Sequence, residues 1–115
     1  MKIEKFEDIL IWQKAKELTI LVYKLFGKLN DFRFRDQIQS ASVSIMNNIA
    51  EGYERMGDKE FARFLYISKG SCGEVRSMLY LALEFKYINQ SEFTRMYESS
   101  IEISRMIQGF IKKIR

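Results

Sequence analysis

The chain has 115 residues, one cysteine, no histidine and no proline, and 19 Lys+Arg against 15 Asp+Glu give a formal net charge of +4. At this length one domain over residues 1–115 is expected, burying about two thirds of its unfolded surface and needing no disulfide. Without histidine there is no Ser-His-Asp or Cys-His pair, no Glu-x-x-His carboxylate signature of ferritin-like bundles and no zinc site beyond one cysteine with carboxylates, so neither a cofactor nor an enzyme is expected.

The N-terminal run MKIEKFEDIL alternates charged with apolar residues and lacks a secretory h-region, and no apolar run approaches the roughly 18 residues of a membrane span. A soluble, cytoplasmic protein without membrane contact is expected. Ile11, Ala15, Leu18, Val22, Leu25 and Leu29 follow four-three spacing and predict a first helix over about residues 8–29. Asn30 reads as the next N-cap, with Leu29 and Phe34 as its hydrophobic staple.

The second helix contains SASVSIMNNIAEG, residues 40–52, where serines alternate with Ala41, Val43 and Ile45. Alternation alone suggests a strand, but a lone strand among helices has no pairing partner, and Phe34, Ile38, Ala41, Ile45 and Ile49 continue a helical row through it. Small side chains let helices approach closely and serine hydroxyls can bond to helix carbonyls. Gly52 in mid-helix costs about 1 kcal/mol against alanine, so a large neighbour is expected there: Tyr53, Trp12 or Phe64. A polar surface around an inter-subunit channel is the alternative use of this stretch.

Gly57 reads as a C′ glycine and Asp58 as the following N-cap, with Glu60 near the positive end of a third helix over about 58–86. That helix carries two rows, Phe61-Leu65-Ser68-Cys72-Val75-Leu79-Ala82 and Phe64-Ile67-Ser71-Glu74-Met78-Leu81-Phe85, an apolar arc wider than one partner needs. It should be central or face another subunit. Cys72 lies in the first row and reads as a small core residue in a reducing compartment, redox chemistry being the alternative. Asn89 with Glu92 forms a capping box, Ile88 and Phe93 its staple, and Phe93, Met96, Ser100, Ile103, Ile107, Phe110 and Ile114 make the row of a fourth helix over about 91–114. The fold class is all-α: an antiparallel up-and-down four-helix bundle.

Candidate chemistry is sparse. Asn48, Glu51, Gly52, Ser71 and Glu74 form a candidate polar cluster within or beside apolar rows; Glu51 and Glu74, satisfied by Arg55, Asn47, Asn48, Ser68 or Ser71, would fix helix register, or would belong to a functional pocket. Arg55, Lys59 and Arg63 follow i, i+4 spacing, and Lys69 and Arg76 share a heptad position. These five either track a phosphate backbone or form a solvated face among Glu54, Asp58 and Glu60, and Tyr53 and Tyr66 either stack on bases or join the core.

Three runs, FEDILIWQKAKEL at Phe6–Leu18, SIMNNIAEGYER at Ser44–Arg55 and DKEFARFLYISKGSCGEV at Asp58–Val75, resemble the 23S rRNA-intervening sequence protein family, also called the four helix bundle protein family, whose genes occur in insertions in bacterial 23S rRNA genes. The resemblance spans nearly the whole chain. It rests on Trp12-Gln13-Lys14-Ala15, Asn48-Ile49-Ala50-Glu51-Gly52, Lys59-Glu60-Phe61 and Gly70-Ser71 with Glu74. It implies a left-handed bundle in a ring-like homopentamer, with RNA or DNA, or a nucleic-acid-processing protein, as partner. Gln39 and Ser40 stand where the family usually carries two basic residues, and Met46 and Asn47 where it commonly has proline. The expected function is a non-enzymatic, nucleic-acid-binding or ribonucleoprotein accessory module; the alternative is a protein-interaction scaffold.

Overall fold

The computed structural model describes residues 3–114. The apolar rows become α1 (Leu10–Phe26), α2 (Phe32–Glu54), α3 (Asp58–Glu84) and α4 (Gln90–Ile114), with one 3-10 turn over Phe6–Asp8 before them. No strand occurs among the described residues, and the alternating serines lie inside α2.

Each helix packs on the two beside it, α1 on α2, α2 on α3, α3 on α4 and α4 back on α1, and the backbones of the diagonal pairs stand further apart. Gln37 pairs with Glu74, Ser44 with Ser71 and Ile45 with Ser68, so rising numbers on α2 meet falling numbers on α3. The helices are antiparallel neighbours in chain order, an up-and-down bundle. Its long axis is 42 Å, close to the roughly 40 Å that the 27 residues of α3 span at 1.5 Å per residue.

The predicted rows of α2 and the first row of α3 are buried throughout. In α1 the inward position passes from the expected Leu25 to Phe26, which is fully buried. A straight helix drifts about 20° per heptad, so a seven-residue seam leaves the core by its third repeat.

The junctions differ from expectation in two places. The N-cap of α2 is Asp31, not Asn30: its Oδ1 accepts from the Phe34 N–H at 3.2 Å while Oδ2 accepts from the Tyr87 hydroxyl at 2.7 Å. A carboxylate serves both donors, and the Leu29–Phe34 staple loses its register around the cap. Between α2 and α3 the left-handed residue is Met56 (φ 64°), whereas Gly57 is extended and caps α3, and Asp58 lies within the first turn beside Glu60. The Met56 N–H closes on Tyr53 O, which turns the chain one residue earlier than a C′ glycine would. The α4 capping box forms as expected, Glu92 N–H to Asn89 Oδ1 at 2.8 Å and Asn89 N–H to Glu92 Oε1 at 2.9 Å.

The Tyr87–Asp31 bond ties the α3–α4 loop to the start of α2. The hydrogen bond from Tyr87, then that from the Phe34 N–H, holds the Asp31 carboxyl below its ordinary 3.8, and the same bond to Asp31 raises the Tyr87 phenol above 10.0. A lowered carboxyl stabilises the fold above its unfolded value and loses that contribution as pH falls through the folded one; a raised phenol stabilises below about 10 and loses it as pH rises further. Tyr87→Phe should therefore lower the melting temperature most between about pH 4 and about pH 10, the gap to the parent closing at both extremes. Thermal melts followed by circular dichroism check this, and a gap independent of pH contradicts it.

Candidate functional site

The stretch from Ser40 to Gly52 lies where α2 meets both neighbours. Gly52 is buried, and a Cβ built there would lie 2.7 Å from Phe64 Cβ, 3.0 Å from Phe61 Cδ1 and 3.3 Å from Phe61 O. Of the three large neighbours the sequence offered, Phe64 occupies the notch. Tyr53 instead donates its hydroxyl to Ile3 O at 2.8 Å, and Trp12 packs edge-on against Phe6.

The small polar residues cross-link backbones. The buried Ser68 hydroxyl donates to Ile45 O at 2.7 Å, from α3 to α2, and Thr19 Oγ1 reaches Ser42 O at 3.1 Å, from α1 to α2. Ser44 and Ser71 share a hydrogen bond at 2.8 Å, and the Asn48 amide donates back to Ser44 O and Oγ at 2.8 and 2.9 Å. Carbonyls that already serve a helix thus accept a second bond, which satisfies the hydroxyls without a polar partner in the core.

Of the expected polar cluster the structure brings together Asn48 and Ser71 through Ser44, with Gly52 one turn beyond Asn48. Glu51 borders the same shallow depression as Ser44 and Asn48 but pairs elsewhere, and Glu74 turns to Gln37. Both are exposed: Glu51 pairs with Arg55 at 2.9 Å, and Glu74 accepts from Gln37 at 3.4 Å. A carboxylate at the rim of the seam keeps its hydration, which a position inside would remove. Among the described residues no three acidic or cysteine side chains converge to hold a metal ion. Burial pushes the Cys72 thiol up to about 12, against the opposing pull of Arg76 and Lys69, so it stays protonated and weakly nucleophilic at neutral pH.

The five basic candidates do not form one outward stripe. Arg55 and Arg63 lie over the ring of Phe64, at 5.0 and 4.6 Å, and each has an acidic partner, Arg55 with Glu51 and Arg63 with Glu60 at 2.9 Å. The Arg63 hydrogen bond holds the Glu60 carboxyl below its ordinary value. Lys59 borders an open depression of about 860 Å³ with Asp58, Glu60, Ala62, Arg63, Tyr66 and Ile114. Lys69 and Arg76 turn the other way, toward α4: the Lys69 ammonium donates to Gln108 Oε1 at 2.9 Å, and Arg76 follows on the same ridge two turns later. Periodicity placed all five on one helix and its approach but did not tell its two flanks apart.

Two features had no counterpart in the sequence reading. Tyr80 of α3 packs edge-on against Phe93 and Tyr97 of α4, and the latter two stack on each other. The Nη1 atom of Arg76, one turn before Tyr80, is buried with no hydrogen-bond partner among the described residues. The i, i+4 aromatic pair Phe93 and Tyr97, facing a tyrosine just outside the α3 row, is the signal that marks this flank.

Fold and seam together define an antiparallel four-helix bundle whose second helix approaches its neighbours over glycine and serine. The chain belongs to the 23S rRNA-intervening sequence protein family, whose model matches residues 7–109. Among solved structures it is similar to a protein of unknown function from the S23 ribosomal protein family of Bacteroides thetaiotaomicron VPI-5482, known from a crystal structure at 1.70 Å resolution. The TM-score is 0.84 at 22% identity, covering 90% of this chain and 99% of that one. A likeness at that identity concerns the fold. No curated protein sequence matches the chain significantly.

Alanine at a helical glycine ordinarily stabilises by about 1 kcal/mol. Gly109 is exposed, with nothing within 4 Å of the place a methyl group would take, and should show that gain on Gly109→Ala, roughly 4 °C in melting temperature. Gly52→Ala should instead destabilise by about 1–3 kcal/mol through overpacking against Phe64 and Phe61, and Gly52→Leu by more. Parallel thermal melts decide, and shifts of the same sign at both positions would refute the notch.

Proposed function

We propose that the protein is a non-enzymatic, homo-oligomeric bundle, five copies closing into a ring, that serves as a nucleic-acid-binding or ribonucleoprotein accessory module. The observation that carries the assembly is the uncovered outer part of the second α3 row: Ile67, Leu81 and Phe85 are 42%, 49% and 52% exposed in the single chain. A second patch lies between α1 and α2, where Tyr23 borders a depression of about 450 Å³ lined by Ser40, Val43, Ser44, Asn47, Asn48 and Glu51. Large apolar side chains beside a shallow polar hollow suit a head-to-tail contact, which needs two different patches and closes into a ring when the rotation permits. Each added copy contributes a further +4 of charge, which favours a polyanionic partner. The resemblance to ring-forming bundles supplies the copy number.

A second reading has the same band seat a different protein. Light scattering of the purified protein separates the two: a mass of about five chains supports the ring, and a monomer overturns it. Ile67→Glu with Leu81→Glu should reduce the assembly to monomers while helicity is retained, because neither side chain is needed to close the single-chain core. The 260/280 nm absorbance ratio, read before and after a high-salt wash, tests the nucleic-acid half of the proposal. A ratio lowered by salt supports it, and protein free of nucleic acid and indifferent to RNA added at low salt refutes it.

A further inference from the structure

The two flanks of α3 differ in chemistry. On the α2 side run the apolar band and the paired arginines. On the α4 side Lys69, Arg76 and Tyr80 face Gln108, Tyr97 and Phe93. Lys69 and Arg76 are seven residues apart, about 10 Å along the axis, the rise of about three stacked nucleotides in one strand.

We infer that this α3–α4 seam is the surface that takes single-stranded nucleic acid, with a base stacked on the ring of Tyr80 and a phosphate oxygen accepting from the Arg76 guanidinium. The inference rests on the nucleic-acid reading above and gives it a place.

Two observations carry it. Tyr80 is 56% exposed yet packs at steep angles on Phe93 and Tyr97, with centroids 5.3 and 5.8 Å away and interplanar angles of 60° and 79°. A ring more than half exposed and ordered by two aromatic neighbours can offer surface for a base to stack on without being ordered at binding, and stacking tolerates any sequence because every base has a π-face. Arg76 Nη1 is covered by protein but bonded to nothing among the described residues, whereas Arg55 and Arg63 each have a carboxylate. Nη1 itself is closed off, but Arg76 as a whole is only half-buried, so a phosphate oxygen can approach the part of the side chain left outside with no carboxylate already bound there.

Space is available as well. A side chain at Gly73 would begin 3.9 Å from Arg76 Nη2, so glycine one turn earlier leaves room beside the guanidinium. Of the α4 acids beside Tyr97, Glu102 pairs with Lys14 of α1 at 3.3 Å, and Glu98 borders hollows that also hold Arg95 and Arg105. Neither Lys69 nor Arg76 enters an ion pair among the described residues, so the seam sets unneutralised cations beside aromatic rings, the combination that single strands require.

The test is fluorescence anisotropy with a fluorescein-labelled single-stranded RNA of about 12 nucleotides, at low and moderate salt, with mass and helicity measured for every variant. Tyr80→Ala should weaken binding about tenfold and Tyr80→Phe should preserve it, because the stacking face and not the hydroxyl is used. Arg76→Gln should weaken binding and reduce the salt slope by about one. Arg55→Gln and Arg63→Gln should leave binding within about twofold, since both cations are already paired.

If the parent binds RNA, the Tyr80 and Arg76 variants bind equally well and the Arg55 or Arg63 variants lose affinity, the seam is wrong and the nucleic-acid reading survives on another face. Should the parent bind no RNA at low salt, both fall together. A lower mass for Tyr80→Ala makes the seam a subunit contact and overturns the inference, and so does duplex RNA competing as well as the single strand.

Discussion

The approach of α2 to α3 at Gly52 sets the register on which the other interactions depend. A Cβ at residue 52 would lie 2.7 Å from Phe64 Cβ and 3.0 Å from Phe61 Cδ1, so only glycine lets α2 and α3 come this close here, and a one-residue slip would set a larger side chain into the contact. With that contact placed, one turn along α3 brings the Ser68 hydroxyl under Ile45 O, the next sets Ser71 against Ser44, and a further step puts Glu74 beside Gln37. The glycine loses helix propensity, and close packing around two aromatic rings offsets the loss.

A seam built on small residues also determines what stays outside. Hydroxyls can enter because helix carbonyls accept a second bond at little cost, as at Ser42, Ser68 and Thr19. Carboxylates have no such outlet and would need a fully desolvated partner. Glu51 and Glu74 accordingly stand at the rim, and their effect on register is that of exposed contacts. The same logic leaves α3 wide: bound closely to α2 along one narrow line, it cannot turn Ile67, Leu81 and Phe85 inward as well.

The helices and their inward rows were legible because a period of about 3.6 states which residues share a face, and twenty-odd residues repeat that statement several times. The capping box at Asn89 was legible because both partners lie within one turn of sequence. The cap of α2 was not: Asn30 and Asp31 are equally able to cap in isolation, and the choice is made by Tyr87, 56 residues away. Glu51 and Glu74 were misplaced for a related reason. Their positions border the rows, and a border residue turns to water or to a neighbour according to where the adjacent helix lies. Gly52 was read correctly as a notch because an interior glycine in a good helix demands a neighbour, and Phe64 was among those the sequence offered.

That distinction between face and flank bears on how α3 divides its surface. Residues about 180° apart around a helix are separated by periodicity, but the flanks on either side of a buried row are distinguished only by which neighbour each one meets. Meeting α2 gives one flank of α3 an apolar band over serines; meeting α4 gives the other an aromatic cluster and cations that form no ion pair among the described residues. Apolar area drives association without regard to direction, whereas cations beside aromatic rings select a charged, planar ligand. A ring that used the first flank for its own contacts would repeat the second at every subunit, so that weak phosphate contacts on single copies add along one strand. Such a design needs no pocket and no catalytic group, only a helix placed between two unlike neighbours.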